Sequence, residues 1–433
     1  MGNRKAQRVL MAIGGFFILG IILLALPPIR NRMVWRIEQL RTRIFYSLFP
    51  PEEAVFQPQD PNQQVEDIVR ATFQALTQTA QYVEPFIVTT MTPAPTAVIT
   101  ATPLPAQVAL QGVRYEDQHG LWNYCAPATL SMALSYWGWE GNRLVTGQYL
   151  KPFEKDKNVM LYEMVNFVQD ETDLRALQRY GGTQELLKAL IASGFPVVIE
   201  KGTYIVETTT GKRSWMGHYN VLTGYDDLAR NFIVQDSYYS PDYLIQYDLL
   251  MQEWRSFDYT FMVIYPPGQE SEVLAILGDY ADPIRSDQIA AEIALKETQN
   301  LTGVDLFFAW FNRGTSLVRL QDYIAAATAY DQAFRIYPDL PKDLRPWRIV
   351  WYQTGPYFAY YYSGRYQDVL ELANTTLESA SEPYLEESFY WRARAKIALG
   401  DRQGAIDDLR ISLKYHPGFK PSEEILRELG VSN

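Results

Sequence analysis

The stretch 121-LWNYCAPATLSMALSYWGW-139 holds the only cysteine of the chain, placed at the head of an apolar run with helical spacing. Pro127 fits the first turn of a helix, where its missing amide is not needed. The spacing predicts a helix over 125–138 with Cys125 at its N-terminus, where unpaired amides and the helix dipole favour a thiolate. A lone cysteine is usually a small buried hydrophobe. Residues far along the chain have to decide between the two.

The chain has 433 residues, more than one ordinary domain, and its length suggests two or three. With 47% hydrophobic, 14% aromatic and 21% charged residues it has a globular profile rich in tyrosine and tryptophan. A formal net charge of -11 speaks against nucleic acid as a partner, because phosphate binding needs clustered Lys and Arg. One cysteine forms no internal disulfide. Of the three histidines, His119, His218 and His416, no two stand at helical metal-ligand spacing, so a metal site would need scattered ligands. The residues call for no cofactor.

Residues 9–26, VLMAIGGFFILGIILLAL, carry no charge and are flanked by Arg4, Lys5 and Arg8 before and Arg30, Arg32 and Arg36 after. Such a run is long enough to span a bilayer, and the LALPPIR that follows is not a small-x-small cleavage site, so 1–28 reads as an uncleaved single-pass anchor. Residues 29–88 read as a juxtamembrane stalk, beginning with a basic amphipathic piece that could lie on the membrane surface. Residues 89–109 are a Thr/Pro-rich linker, a composition common in spacers of exported proteins, which places the later domains outside the cytoplasm.

From 110 to 267 helices come first (125–138, 184–193) and strands follow, in FPVVIEKG, GHYNVLTGYD, NFIVQDSY and YTFMVIYPP, an α+β pattern. From 268 to 433 the chain is helical and repeats itself. Trp310, Gly314, Ala326, Tyr330, Ala333 and Pro338 fit a tetratricopeptide frame, as do Ala393, Gly400, Ala405, Leu409 and Pro417. A third unit with Gly364, Tyr366 and Ala373 follows a proline-containing insertion. The turn positions Gln321, Gly364 and Gly400 are irregularly spaced against the usual period, and the array is expected to bind a protein partner.

A cysteine nucleophile needs a base and an oxyanion donor as well as a lowered thiol pKa. HYNVLTGY and FIVQDSY flank the turn DDLARN; a hairpin centred near residue 227 would set His218 directly opposite Asp236 on one face. Asp236 would then orient the imidazole. The alternative is that His218 is a satisfied core histidine.

NYCAPATLSMALSYWG, GHYNVLTGYDD and FIVQDSY together resemble the papain-like double-glycine (bacteriocin-leader) peptidases, specifically their stand-alone C39-like branch. Over residues 110–267 the resemblance implies a papain-like α+β fold and a peptide or protein substrate. It implies Cys125 as nucleophile, His218 as general base and acid, and Asp236 as the orienting residue. The family usually has glycine directly after the cysteine, where this chain has Ala126. Its oxyanion glutamine usually lies five or six residues before the cysteine; the nearest here is Gln118, seven before, so a longer loop must bring it back. Trp122, Tyr124, Trp137 and Trp139 could line a groove or pack in the core, and His119 reads as a surface residue. Two functions follow: a membrane-anchored cysteine peptidase, or a non-catalytic surface adaptor that uses the same domains for binding.

Overall fold

The computed structural model describes residues 27–59, 103–207 and 210–431. The uncharged run 9–26 lies outside the described residues, as do 60–88 of the expected stalk and 89–102 of the linker. None of the helices among the described residues is long and apolar enough to cross a membrane.

A helix, α1 (Pro27–Leu48), comes first. The sheet domain then runs β1 (Gln107–Ala109), α2 (Cys125–Tyr136), α3 (Arg143–Leu150), α4 (Leu161–Glu171), β2 (Arg175–Arg179), α5 (Gln184–Ala192), β3 (Val197–Val206), β4 (Arg213–Asp226), β5 (Asn231–Asp236), β6 (Ser240–Gln246), α6 (Tyr247–Arg255) and β7 (Phe261–Tyr265). Its seven strands form one antiparallel sheet in the order β2-β7-β3-β4-β5-β6, with β1 added beside the end of β4. The structure thus draws Gln107–Ala109, read from sequence as the end of the linker, into the sheet against Gly224–Asp226.

Alternation along the strands buries both faces. Val197, Ile199, Leu222, Phe261 and Val263 point to one side and pack with Leu187 and Leu190 of α5 and Leu250 and Trp254 of α6. Val198, Val221, Met262 and Ile264 point to the other and meet Leu130 and Leu134 of α2 and Met164 of α4. Because α2 runs between the sheet and α3, it is buried from Ala126 to Leu134 and only its N-terminus reaches a cavity.

The helical part comprises α7 (Glu270–Leu277), α8 (Pro283–Thr298), α9 (Gly303–Arg319), α10 (Tyr323–Ile336), α11 (Ile349–Tyr352), α12 (Gly355–Tyr362), α13 (Tyr366–Ser379), α14 (Glu386–Ala398), α15 (Arg402–Tyr415) and α16 (Lys420–Glu428). The turn positions Gln321, Gly364 and Gly400 all adopt left-handed backbone, with φ of 63°, 81° and 89°, and so end helices α9, α12 and α14 alike. Gly314 faces the Tyr330 ring, which a Cβ there would meet at 2.8 Å, so the helix pair α9/α10 approaches closely at that point.

The insertion between α10 and α12, residues 337–354, is folded onto the sheet domain. Tyr204 Oη donates to the Leu344 carbonyl at 2.7 Å, and Arg348 donates to Ser214 Oγ and pairs with Glu207. Trp215, on β4, is fully buried in the repeat core, 5.7 Å from Phe257 and 5.8 Å from both Phe308 and Tyr352. The two domains therefore share one apolar core.

The described part of the expected stalk also packs on this body. Tyr46 meets Trp347 at 5.6 Å, Phe56 is buried 5.0 Å from Phe334, and the Gln59 amide donates to Asp368 Oδ1 at 2.9 Å. The other side of α1 carries a row of exposed apolar side chains, Met33, Ile37, Leu40, Ile44 and Leu48, at helical spacing.

Candidate active site

Cys125 is the first residue of α2 and is half-buried. Tyr124, before it, makes no side-chain cap, so the first amides of the helix are left to whatever lies at the N-terminus. The loop leading in is held in several ways. The buried Lys151 amine donates to the carbonyls of Trp122, Asn123 and Glu154, and Asn123, at φ 49°, donates to the Asp156 carbonyl at 2.7 Å. The Tyr124 ring lies across Gly147, where a Cβ would meet its hydroxyl at 1.9 Å. Only glycine leaves room there. Ala126 is a buried helical residue and takes its place without strain.

His218 lies on β4 and Asp236 at the end of β5, with Nε2 and Oδ1 2.8 Å apart and side-chain exposures of 7% and 0%. The register differs from the one expected. Val221 pairs with Gln235 and Leu222 with Val234, a displacement of two residues, and a bulge follows between Leu222 and Gly224. Continuing that register, Asp236 lies beside Asn220 and reaches His218 on the diagonal. A shift of two leaves both side chains on the same face, whereas a shift of one would have separated them. Asp236 Oδ1 also accepts from the amides of Tyr238 and Tyr239, at 2.9 and 3.1 Å, so the tight turn into β6 fixes the carboxylate.

Burial alone would lower the His218 pKa, but the charge and hydrogen bond of Asp236, with a hydrogen bond to the Cys125 thiol, push it up to about 9. Burial likewise works against an ionised Asp236, and the His218 charge and hydrogen bond outweigh it, holding that carboxyl well below the usual range. The pair is an imidazolium and a carboxylate at neutral pH.

Gln118 reaches the same cavity. Its amide donates to the Ser237 carbonyl at 2.9 Å and its Oε1 accepts from Ser237 Oγ at 2.8 Å, so the turn after Asp236 carries the longer loop back and the side-chain NH2 is left to donate. The cavity encloses about 80 Å³ and is lined by Gln118, Cys125, His218, Tyr219, Tyr238 and Tyr352 among others. His119 is exposed and paired with Asp117 at 2.5 Å. Trp139 packs on Phe167 and Trp137 on Phe195, both in the core, while Trp122 lines a neighbouring outer cavity.

Sequence reasoning missed Tyr352. It comes from the insertion in the helical array, packs on Gly217 and lines the same cavity as Cys125. The one available signal was the stretched interval between Gln321 and Gly364. Among the described residues, the one group of His, Cys, Asp or Glu with ligand atoms within 4.8 Å of one another is Asp156, Glu386 and His416, at the domain interface. His416 Nδ1 and Glu386 Oε1 are 2.9 Å apart, so two of the three are already joined by a hydrogen bond, and burial raises the Asp156 carboxyl.

Residues 110–261 match the model of the Peptidase_C39 like family and residues 307–340 that of the tetratricopeptide repeat, so the chain carries a C39-like peptidase domain followed by a tetratricopeptide repeat. A solved structure of a candidate C39-like peptidase from Bacillus anthracis is 17% identical, covering 36% of this chain and 96% of that one with a TM-score of 0.30. No curated protein matches the chain.

Proposed function

We propose that the protein is a cysteine peptidase that hydrolyses peptide bonds through Cys125, His218 and Asp236. The observation that carries this is one cavity lined by both Cys125, at a helix N-terminus, and His218, whose ring is joined to the buried Asp236 at 2.8 Å. His218 stands as the imidazolium that holds the proton given up by the thiol, and the Cys125 thiolate paired with it attacks the substrate carbonyl. The Cys125 amide and the Gln118 side chain donate to the oxyanion. His218 returns the proton to the leaving amine, and water, activated by the same imidazole, releases the acid.

The reading includes anchorage by 9–26 with the folded domains outside the cytoplasm. The exposed apolar row on α1, directly after that run, supports a place at a membrane surface. The adaptor reading has one observation in its favour: Tyr352, Tyr238 and Tyr239 leave little room at Cys125.

Labelling with a thiol-reactive probe separates the two. A peptidase gives Cys125 labelling at neutral pH well above that of a free model thiol, lost in Cys125→Ala and strongly slowed in His218→Ala. Labelling no faster than the model thiol leaves the adaptor. Protease digestion of intact cells tests the location, and protection of residues 60–102 from external protease would sink it.

A further inference from the structure

An isolated tetratricopeptide array leaves its concave face open. In this protein the sheet domain roofs it. Helices α9, α12, α14 and α16 form the floor, and Leu161, Tyr180 and Glu200 of the sheet domain face them across about 670 Å³, a volume suited to a few residues of peptide. Ten of the wall residues are aromatic, Phe358, Tyr362, Tyr390 and Trp391 among them.

Two polar groups in that wall lack an answer. Arg394 lies over the rings of Tyr361 and Trp391, at 4.2 and 5.1 Å, and donates to the hydroxyls of Tyr362 and Tyr390 at 3.2 and 3.3 Å. It has no carboxylate partner among the described residues. Arg319, in the same wall, is by contrast neutralised by Asp258 and Asp287. Glu200 is 6% exposed, and its Oε1 has no hydrogen-bond partner among the described residues. Burial raises its pKa well above the ordinary value, against a hydrogen bond with Tyr219, and Glu387 is pushed up to about 7 by burial too. Arg394 is the unneutralised cation of the groove. The groove also adjoins the thiol, since Tyr352 lines both cavities.

We propose that the roofed groove is a recognition subsite of the Cys125 site for a substrate segment with a carboxylate beside an aromatic side chain, the carboxylate held by Arg394. Its place in catalysis rests on the peptidase reading; binding does not.

The test uses the full chain carrying Cys125→Ala, and acetylated, fluorophore-labelled hexapeptides with a central Glu-Phe or Gln-Phe pair. Anisotropy should show Glu-Phe binding about tenfold tighter or more, the strength of a charge-assisted hydrogen bond. Arg394→Gln should erase that preference and leave Gln-Phe affinity within about twofold. Val318→Trp, which narrows the groove from another wall, should weaken both peptides, and serves if Arg394→Gln does not fold. Equal affinities, no binding of either peptide, a preference that survives Arg394→Gln, or binding of both peptides undiminished by Val318→Trp overturns the proposal. A preference as expected alongside an unreactive Cys125 in the native chain would remove the peptidase reading and keep the subsite; a reactive Cys125 without the preference would do the reverse.

Discussion

The cavity at Cys125 and the groove under the sheet domain meet at Tyr352, yet they are built differently. The first is small and held by polar contacts near 2.8 Å, with Asp236 tied to the backbone of its own turn. The second is several times larger, walled by rings, and holds one unpaired guanidinium. Bond chemistry needs a few polar atoms fixed within hydrogen-bond reach of a reacting carbon, whereas recognition needs area and a charge that remains unanswered until the ligand arrives. The proposed division of labour between the domains rests on that difference.

The most severe way to break the small cavity is at its reacting pair. Cys125→Ala should abolish hydrolysis and probe labelling, and His218→Ala should lower the labelling rate by about 10²–10⁴. Both should leave the circular dichroism of the chain and any peptide binding in the groove unchanged. The seam between the regions comes next. Trp215→Ala removes a ring that belongs to the sheet by sequence and to the repeat core by packing, and should cost about 3–5 kcal/mol in denaturant unfolding. Because the core is shared, near-UV and far-UV signals should shift together; two separated transitions would show that the regions fold independently.

Arg348→Ala strips Ser214 and Glu207 of a nearly buried partner and should cost about 3 kcal/mol by the same measurement, with Glu207→Gln recovering part of the loss in the double variant. A pH series sharpens the picture of the small cavity. His218 has a folded pKa of about 9, above its ordinary value of 6.5, so its ion pair with Asp236 contributes fully below about 6.5 and is lost as pH rises through about 9. Turnover that needs the imidazolium as acid should fall about tenfold per pH unit above that point, and His218→Gln should remove the alkaline loss of stability. The smallest effect belongs to Arg230, whose pair with Asp248 is mostly exposed; Arg230→Ala should change stability by less than about 0.5 kcal/mol.

Much of the fold was legible where the signal was local. The apolar run after Cys125, the alternating strands and the turn positions Gln321, Gly364 and Gly400 each follow from neighbours in sequence, and the structure places a helix, the strands and left-handed turns there. The contact of His218 with Asp236 was legible through parity alone. The register itself was not, because it is set by the bulge at the end of β4 and by a turn in which Arg230 takes φ 53°, neither of which residue alternation encodes. Tyr352 and the roofing of the groove were invisible for another reason. They depend on where an insertion lands on a different domain, and a docking surface 130 residues away leaves no periodic trace.

The strap at residues 49–59 has a practical consequence for anyone expressing the protein. A fragment cut at residue 103, the natural choice for removing the apolar run and the Thr/Pro tract, would also remove Phe56 from against Phe334 and Tyr360, and the amide that Gln59 gives to Asp368. The surface thus uncovered is aromatic, and such patches invite aggregation. Supplying residues 27–59 as a separate peptide should restore solubility to that fragment.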